Sequence, residues 1–146
     1  MSQSTVSNQM NISLANAIVF YQKLHHFHWR VSGVQFFGLH AKFEELYDRF
    51  AVVVDDIAER ILTVGGEPVA TLAEAIEKAT LQEASGVPSA VDMAGQTLAD
   101  LEAQKSQLAE VIASADKAGD RGTANLLDGI ADELEKTIWM FRAFMK

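Results

Sequence analysis

Apolar residues recur every three or four positions along most of the chain, the spacing that places them on one face of an α-helix. The first stripe lies between Ile12 and Arg30, and Gly33 is predicted to stop this helix. Its members are Leu14, Ala17, Ile18, Tyr21 and Leu24, with His25 and His28 continuing the same stripe. The second stripe consists of Leu39, Phe43, Leu46, Phe50, Val54, Ile57 and Ile61. It is followed by two glycines and a proline, so a second long helix is predicted to end near Gly65.

Two more long helices are predicted in the second half of the chain, with a short helix before them. Thr71, followed three residues later by a glutamate, forms the capping-box pattern of the short helix. Ser89 opens the third long helix, and Gly119 ends it. Thr123 is predicted to cap the fourth long helix. The apolar positions of these two long helices are Leu98, Leu101, Leu108, Val111, Ile112, Leu126, Leu127, Ile130, Leu134, Ile138, Phe141 and Met145.

The connections between these helices predict the topology. Short loops follow the first and third long helices and favour antiparallel neighbours, whereas the segment from Gly65 to Pro88 is long enough to cross a bundle lengthwise. We therefore predict an all-α fold, a ferritin-like four-helix bundle with a short extra helix in the long crossover between the second and third helices. This single domain is predicted to span residues 11–146, after a disordered or frayed polar tail at residues 1–10.

Composition narrows the classes of function. The chain has 146 residues, a formal net charge of −8 and no cysteine. Negative charge disfavours polyanionic partners such as nucleic acid. Without thiolates, a bound metal must be held by nitrogen and oxygen, which suits iron, manganese or zinc. The N-terminus has no secretory pattern, and no apolar run approaches the ~20 residues that span a bilayer, so we expect a soluble cytoplasmic protein that does not bind membranes.

Histidines and carboxylates indicate where metal chemistry could take place. All four histidines lie within one stretch of sixteen residues and are His25, His26, His28 and His40. On the second helix His40 and Glu44 are four residues apart, as are Asp55 and Glu59, so each pair shares a helix face. The rotation from His40 to Asp55 is about 60°, so both pairs face in broadly similar directions.

These two pairs cannot meet within one chain. Fifteen residues at ~1.5 Å per residue separate them by roughly 22 Å along the helix. In a two-fold dimer with these helices antiparallel, the histidine end of one chain would lie beside the acidic end of the other. An ordinary di-iron centre inside one bundle would need Glu-x-x-His motifs on two helices, and no histidine follows His40. The spacing therefore favours a metal site between subunits.

A purely structural interpretation also fits these residues. An acidic pair four residues apart on a helix is usually a solvated face. His25 and His28 could be core histidines that bind backbone carbonyls or the Tyr21 hydroxyl. On this interpretation the histidines pack the interior and the assembly is inert.

Two longer stretches resemble a known family. HWRVSGVQFFGLHAKFE (28–44) and VDDIAERILTVGGEP (54–68) resemble the paired signatures of the Dps family, the DNA-protection-during-starvation miniferritins, and IWMFRAF (138–144) resembles the last helix of that family. The resemblance covers essentially the whole folded chain. It implies a homododecameric hollow shell of four-helix subunits, with ferroxidase centres at the two-fold interfaces.

The resemblance also implies roles for individual residues. By motif position, His28 and His40 of one subunit would be metal ligands and catalytic residues together with Asp55 and Glu59 of a second subunit, with Glu44 nearby. Fe²⁺ would be oxidised, preferentially by hydrogen peroxide, and ferric oxide would be stored in the cavity, which protects against oxidative damage. Carboxylate oxygens suit this chemistry because hard ligands stabilise Fe³⁺.

Several roles stay open on the sequence alone. Glu44 stands where the family often has aspartate, so its contact with metal could be direct, water-mediated or absent. The resemblance places Trp29 near the site, either as an electron donor or as interface packing. His25 is a candidate neighbour of the ligands. His26 lies about 100° further around the helix and is predicted to be a surface or inter-subunit residue.

Two further expectations concern DNA and the route of iron. Coating of DNA is the alternative function, but residues 1–10 contain no lysine or arginine, so binding through this tail is not expected. Asp120, Asp128 and Asp132 could line an acidic three-fold pore that concentrates Fe²⁺. Alternatively, they are acids favoured near a helix N-terminus by its dipole and by solvent.

Overall fold

A computed structural model describes residues 3–146, which form five helices and no strand. The helices are α1 (Gln3–Arg30), α2 (Phe36–Thr63), α3 (Leu72–Lys78), α4 (Ala90–Lys117) and α5 (Arg121–Met145). Four of them are long, and the short α3 lies in the crossover between α2 and α4, which confirms the predicted all-α arrangement. None of the helices in residues 3–146 is long and apolar enough to cross a membrane.

The core lies between the four long helices. Helix α1 packs against α2, α3 and α4, and α4 packs against α5. The predicted apolar stripes face inward, as Leu14, Phe43, Ile57 and Leu127 show by being almost completely buried. Burying one such side chain stabilises the fold by ~1.5–3 kcal/mol. Amphipathic periodicity therefore determines which face of each helix is hidden.

The observed helix caps confirm two sequence predictions and correct a third. The Thr71 side chain accepts a hydrogen bond from the Glu74 N–H in a complete capping box, and Ser89 caps α4 by accepting from Asp92 N–H. At α5 the predicted cap is wrong. Asp120 is the N-cap, and Thr123 is the residue whose backbone N–H donates to it. A carboxylate three residues earlier satisfies the free N–H groups of the first turn equally well.

The predicted frayed tail is also wrong for the described part of residues 1–10. Helix α1 begins at Gln3, and Val6 and Met10 are completely buried in the core. The Gln3 side chain donates a hydrogen bond of 2.9 Å to Asp120 at the start of α5. Residues 1 and 2 lie outside the described part. Core packing by two apolar residues therefore extends the helix through a stretch that is polar in composition.

Polar side chains on α1 hold the crossover in place. The Asn16 side chain accepts hydrogen bonds from the backbone N–H groups of Thr80 (2.7 Å) and Leu81 (3.1 Å). Lys23 donates to the Gln82 carbonyl and forms a buried ion pair with Asp100 at 2.8 Å. These contacts satisfy backbone groups of an irregular segment that has no helical partners of its own. They tie the crossover to the helix that carries the histidines.

Candidate metal centre

His28 and His40 face each other across the turn between α1 and α2. The turn passes through Gly33, whose φ of +92° lies in the left-handed region that glycine adopts without strain. The two imidazole rings stack with their centroids 3.7 Å apart and only 12° between their planes. His28 Nδ1 lies 2.7 Å from the His40 carbonyl oxygen, and His40 Nδ1 lies 2.8 Å from the His28 carbonyl oxygen.

This reciprocal arrangement determines the tautomer of both rings. A carbonyl oxygen only accepts hydrogen bonds, so each Nδ1 must carry the proton and donate. In the neutral imidazole the lone pair is then on Nε2, the atom left to bind a metal ion. A histidine ligand whose other nitrogen donates to a carbonyl is the usual arrangement in metal sites. The fold thus prepares two nitrogen donors before any ion arrives.

Aromatic neighbours hold both rings in place. Phe36 stacks on His40 with centroids 4.7 Å apart, and the edge of Tyr47 meets His28 at 5.3 Å. His28 is buried, with 7% of its surface exposed. Packing on both rings leaves little freedom for rotation, so the donor nitrogens are held rigidly.

Glu44 lies beside the available nitrogen of His28. Its Oε1 is 3.7 Å from His28 Nε2, too far for a hydrogen bond. Two ligands about 2.1 Å from one ion, with angles from tetrahedral to trigonal at the ion, are separated by roughly 3.4–3.7 Å. The observed separation therefore matches two ligands of one shared ion. Which of the three possibilities holds for Glu44 stays a prediction.

Asp55 and Glu59 do not join this cluster within the subunit. Both are exposed on α2, several turns beyond the histidines. In residues 3–146 no group of three or more His, Cys, Asp or Glu side chains comes together well enough to hold a metal ion. One chain thus presents two histidines with Glu44 at one end of α2 and an acidic pair towards the other end.

Exposed apolar side chains surround the histidine pair. Trp29 and Phe37 are 63% and 84% exposed, and Val34 in the turn between them is fully exposed. Large apolar residues grouped on a surface are typical of contacts with another protein chain. A subunit interface at this edge would cover them and exclude water from the donors.

The remaining histidines differ in their surroundings. His25 Nδ1 binds the Tyr21 carbonyl at 2.9 Å, and its ring stacks on Tyr47 at 3.7 Å. Trp29 lies 5.4 Å from the His25 ring, so it contacts the neighbour of the ligands and not the ligand pair. His26 binds the Gly86 carbonyl at 2.8 Å and faces the crossover.

Tyr47 belongs to the site and was missed by the sequence reasoning. It contacts both His25 and His28 and lies beside Glu44. Its position three residues after Glu44 on the same helix was the available signal, because residues three apart share a face. A tyrosine on an amphipathic helix is usually core packing, which is why this signal alone does not identify it.

The three candidate pore acids have unequal surroundings. Asp128 and Asp132 are exposed on α5. Asp120, in contrast, accepts hydrogen bonds from Thr123, Gln3 and Arg60. Burial raises the pKa of Asp120, but these hydrogen bonds outweigh it and lower the pKa to about 2. The carboxylate of Asp120 is therefore bound by groups of the same chain.

Comparisons with known proteins agree with the observed fold. A family model described as a ferritin-like domain matches residues 7–146. The DNA protection during starvation protein of Brevibacillus brevis is 44% identical over 144 residues, which cover 99% of this chain and 97% of that protein. The chain belongs to the Dps family. A second Dps-family relative, the DNA protection during starvation protein 2 of Bacillus anthracis, is 46% identical over 136 residues, covering 93% of each chain.

Solved Dps structures share the fold throughout. The crystal structure of Dps from Staphylococcus aureus has a TM-score of 0.97 and 41% identity, covering 99% of this chain and 97% of that one. The Dps protein from Vibrio cholerae O1, described as a member of a broad superfamily of ferritin-like diiron-carboxylate proteins, has a TM-score of 0.95 at 31% identity, with 98% and 90% covered. The predicted ferritin-like bundle is thereby confirmed.

Proposed function

We propose that this protein is a ferroxidase and iron store. It oxidises Fe²⁺ at centres built between subunits and keeps the ferric oxide in a hollow cage, which protects the cell from oxidative damage. The observation that carries the proposal is the reciprocal bonding of His28 and His40, which leaves two imidazole nitrogens free, with the Glu44 carboxylate 3.7 Å from one of them. Membership of a family with a ferritin-like domain supports it.

The second half of each centre comes from another subunit in this proposal. Asp55 and Glu59 are exposed and share a face of α2, so they are free to meet a partner. A two-fold axis that sets two α2 helices antiparallel would place these acids beside the histidines of the neighbouring chain, forming two equal sites. The exposed apolar rim around Trp29 and Phe37 supports contact at this edge. The proposed assembly is a homododecamer.

The mixed ligand set suits the oxidation of iron. Imidazole nitrogens bind Fe²⁺, and carboxylate oxygens stabilise the Fe³⁺ that forms. Two Fe²⁺ ions supply the two electrons that reduce one hydrogen peroxide molecule, so the oxidant is consumed without releasing a hydroxyl radical. Hydrogen peroxide is therefore the proposed oxidant. Exposed acids such as Asp128 and Asp132 would attract Fe²⁺ to the cage.

Titration with iron tests the proposal. Anaerobic addition of Fe²⁺, followed by hydrogen peroxide, should produce ferric absorbance in the wild type. His28→Ala and Asp55→Ala should each reduce the rate at least about tenfold, because each removes one ligand. His26→Ala is the matched control and should keep the wild-type rate, since His26 binds the crossover. Unchanged rates in both ligand variants would refute the function.

The alternative is a protein that coats DNA. Its relatives are named for DNA protection. A net charge of −8 opposes binding to a phosphate backbone, and residues 3–10 are part of a packed helix. Consumption of iron and peroxide protects DNA chemically without contact. A mobility shift of DNA at low salt with tight complexes would support the alternative.

A further inference from the structure

An apolar pocket lies between the first turns of α2 and the last turns of α5. It has a volume of about 280 Å³ and is lined by Gly38, Leu39, Lys42, Met140, Phe141 and Phe144. A water molecule occupies ~30 Å³ in the liquid, so the pocket admits several molecules of the size of hydrogen peroxide. Met140 is half-buried in this wall. Its side chain is therefore within reach of small solutes, although most of its neighbours are hydrocarbon.

Lys42 places a positive charge beside the thioether of Met140. Its Nζ lies 4.0 Å from Met140 Sδ and donates a hydrogen bond of 3.2 Å to the Glu45 carboxylate. A thioether is a weak acceptor, so the contact with sulfur is mainly one between a charge and a polarisable atom. The Lys42 side chain is only 22% exposed, so water and salt screen its charge less than that of a free surface lysine.

The other methionines of residues 3–146 have different surroundings. Met10 and Met93 are completely buried in the core. Met145 is 39% exposed, and its methyl group packs beside Gly95. The chain thus contains buried and exposed thioethers with which the reactivity of Met140 can be compared directly.

We propose that Met140 is a site of oxidative modification, at which hydrogen peroxide converts the thioether to a sulfoxide beside Lys42. The chain has no cysteine, so methionine is the residue type that offers sulfur to an oxidant. The site consumes one peroxide molecule per chain without iron, which goes beyond the proposed ferroxidase activity.

The reaction at Met140 is a two-electron oxygen transfer. A lone pair of Sδ attacks one oxygen of hydrogen peroxide, so that an S–O bond forms, the O–O bond breaks and the second oxygen leaves as hydroxide. The proton on the transferred oxygen passes to this hydroxide, and the products are the sulfoxide and water. Sulfur loses the two electrons that the peroxide gains. The charge of Lys42 stabilises the departing hydroxide, and no proton leaves the ammonium group.

The sulfoxide changes the contact between α2 and α5. Its oxygen is a much better acceptor than the thioether sulfur, so the Lys42 ammonium donates a charge-assisted hydrogen bond to it. Oxidation of a core methionine places a polar group among apolar ones and disrupts the packing. At Met140 the new polar atom has a donor ready. The subunit therefore tolerates oxidation at this position.

Exposure of the assembled, metal-free protein to hydrogen peroxide tests the proposal. A chelator removes iron beforehand, catalase stops the reaction, and mass spectrometry of peptides counts the oxygen atoms added to each methionine. Met140 should form sulfoxide at least about tenfold faster than Met10 and Met93, whose oxidation requires the core to open. In denaturant these rates should agree within about twofold, because the fold no longer distinguishes the residues. Equal rates for Met140 and the two core methionines in the folded protein would overturn the proposal.

Variants of Lys42 test the effect of its charge. Lys42→Gln removes the charge and should slow the oxidation of Met140 about threefold to tenfold, the effect of one charge ~4 Å away at a site that water reaches. Met145 in the same molecules should react at its wild-type rate. Lys42→Arg keeps the charge and should retain the rate within about twofold. An unchanged rate at Met140 in Lys42→Gln, or an equal change at Met145, would overturn the role of Lys42.

Lys105→Gln is the matched control for Lys42→Gln. Lys105 is an exposed lysine on α4 whose ion pair with Glu135 resembles that of Lys42 with Glu45. Its replacement should leave the oxidation of Met140 within about twofold of the wild-type rate. The same slowing in both variants would show that net charge, and not the contact with sulfur, sets the rate, and would also overturn the role of Lys42.

The melting temperature tests the hydrogen bond to the sulfoxide oxygen. Oxidation should lower the Tm of Lys42→Gln by ~2–4 °C more than that of the wild type, because the variant lacks a charged donor for the new oxygen. Met140→Leu, which has no thioether at this position, corrects for oxidation elsewhere. An equal decrease in Lys42→Gln and wild type would overturn this hydrogen bond. No iron is present in these experiments, so their outcome is independent of the proposed ferroxidase activity.

Discussion

His28 and His40 each donate a hydrogen bond from Nδ1 to the backbone carbonyl oxygen of the other residue. The two rings and the two backbone segments therefore form one closed unit across the turn between α1 and α2. Removing either imidazole deletes one donor nitrogen and also removes the ring that stacks on the other imidazole at 3.7 Å, while the backbone carbonyl that accepts from the other Nδ1 stays in place. The stacking thus links the two ligands, because each ring helps to hold the other in place.

Strong non-additivity is the first prediction from this link. His28→Ala and His40→Ala should each weaken Fe²⁺ binding at least about a hundredfold, because each loses one ligand and the stacked ring that helps to hold the second. The double variant should be little worse than either single variant. Anaerobic titration of Fe²⁺ measures all three affinities. If the two single losses multiply in the double variant, the rings act independently.

The buried Lys23–Asp100 ion pair predicts a large loss of stability when one partner is removed. The pair is 2.8 Å long, and the side chains are only 6% and 13% exposed. Burial raises the pKa of Asp100 above its usual value, and the hydrogen bond and the charge of Lys23 offset only part of this increase. Lys23→Met leaves a buried carboxylate without its partner and should cost ~3 kcal/mol in the free energy of unfolding. Chemical denaturation measures this cost.

Two further variants check the reason for that cost. Lys105→Met removes a comparable ion pair, but the side chains of Lys105 and Glu135 are 42% and 56% exposed. Solvent screening should therefore keep the loss within about 1 kcal/mol. The double variant Lys23→Met with Asp100→Leu should recover much of the lost stability, because no buried charge is left. An equal loss in the exposed and buried pairs would contradict this account.

The lowered pKa of Asp120 predicts that the stability of the fold depends on pH. Its pKa in the folded protein is lowered from 3.8 to about 2, so the folded state favours the charged carboxylate. This stabilisation is fully present above about pH 4 and is lost as the pH falls towards 2. Asp120→Asn keeps a capping side chain but removes the charge, and should cost roughly 1–2 kcal/mol at neutral pH.

The matched control for that variant is Asp128→Asn, an exposed carboxylate on the same helix. Thermal unfolding between pH 2 and 7 should show a difference between wild type and Asp120→Asn that shrinks towards pH 2. Asp128→Asn should follow the wild type throughout. A difference that stays constant with pH would show that the charge of Asp120 is not the cause.

Removal of the Asn16 side chain is expected to open the crossover locally. Its amide accepts from the N–H groups of Thr80 and Leu81 and donates to the Thr80 hydroxyl. Asn16→Ala leaves these groups without partners, at a cost of ~1–3 kcal/mol. Hydrogen exchange at Thr80 and Leu81 should accelerate by at least about tenfold, while the helix cores stay protected. Asn8→Ala, an exposed change on the same helix, should leave this exchange unchanged.

The helical spacing of apolar residues was enough to predict most of the fold. The stripes of α2, α4 and α5 are long and regular, and most of their predicted inward positions are buried, although the predicted Met145 at the end of α5 is exposed. The start of α1 was missed because Val6 and Met10 are separated by polar residues, and composition there suggested a tail. Both residues continue the spacing of Leu14 and Ala17, but only packing against other helices shows that they are buried.

The site was predictable in its residue types and less so in its geometry. Spacing placed His40 and Glu44 on one face of α2, whereas the pairing of His28 with His40 came from the resemblance to the Dps family. The reciprocal hydrogen bonds depend on where the turn directs two carbonyl oxygens, which no residue pattern encodes. Tyr47 was not predicted for the same reason, because its contacts with His25 and His28 of α1 form only when the helices pack.

Co-assembly of complementary variants tests the two-subunit centre most directly. Subunits carrying His28→Ala and His40→Ala would be mixed with subunits carrying Asp55→Ala and Glu59→Ala. Neither variant alone should oxidise Fe²⁺ with hydrogen peroxide. In a mixed two-fold pair, one centre combines the intact histidines of one chain with the intact acids of the other, so equal random mixing should restore about one quarter of the centres. Recovery near that level is the predicted result, and no recovery in mixed assemblies would contradict the account.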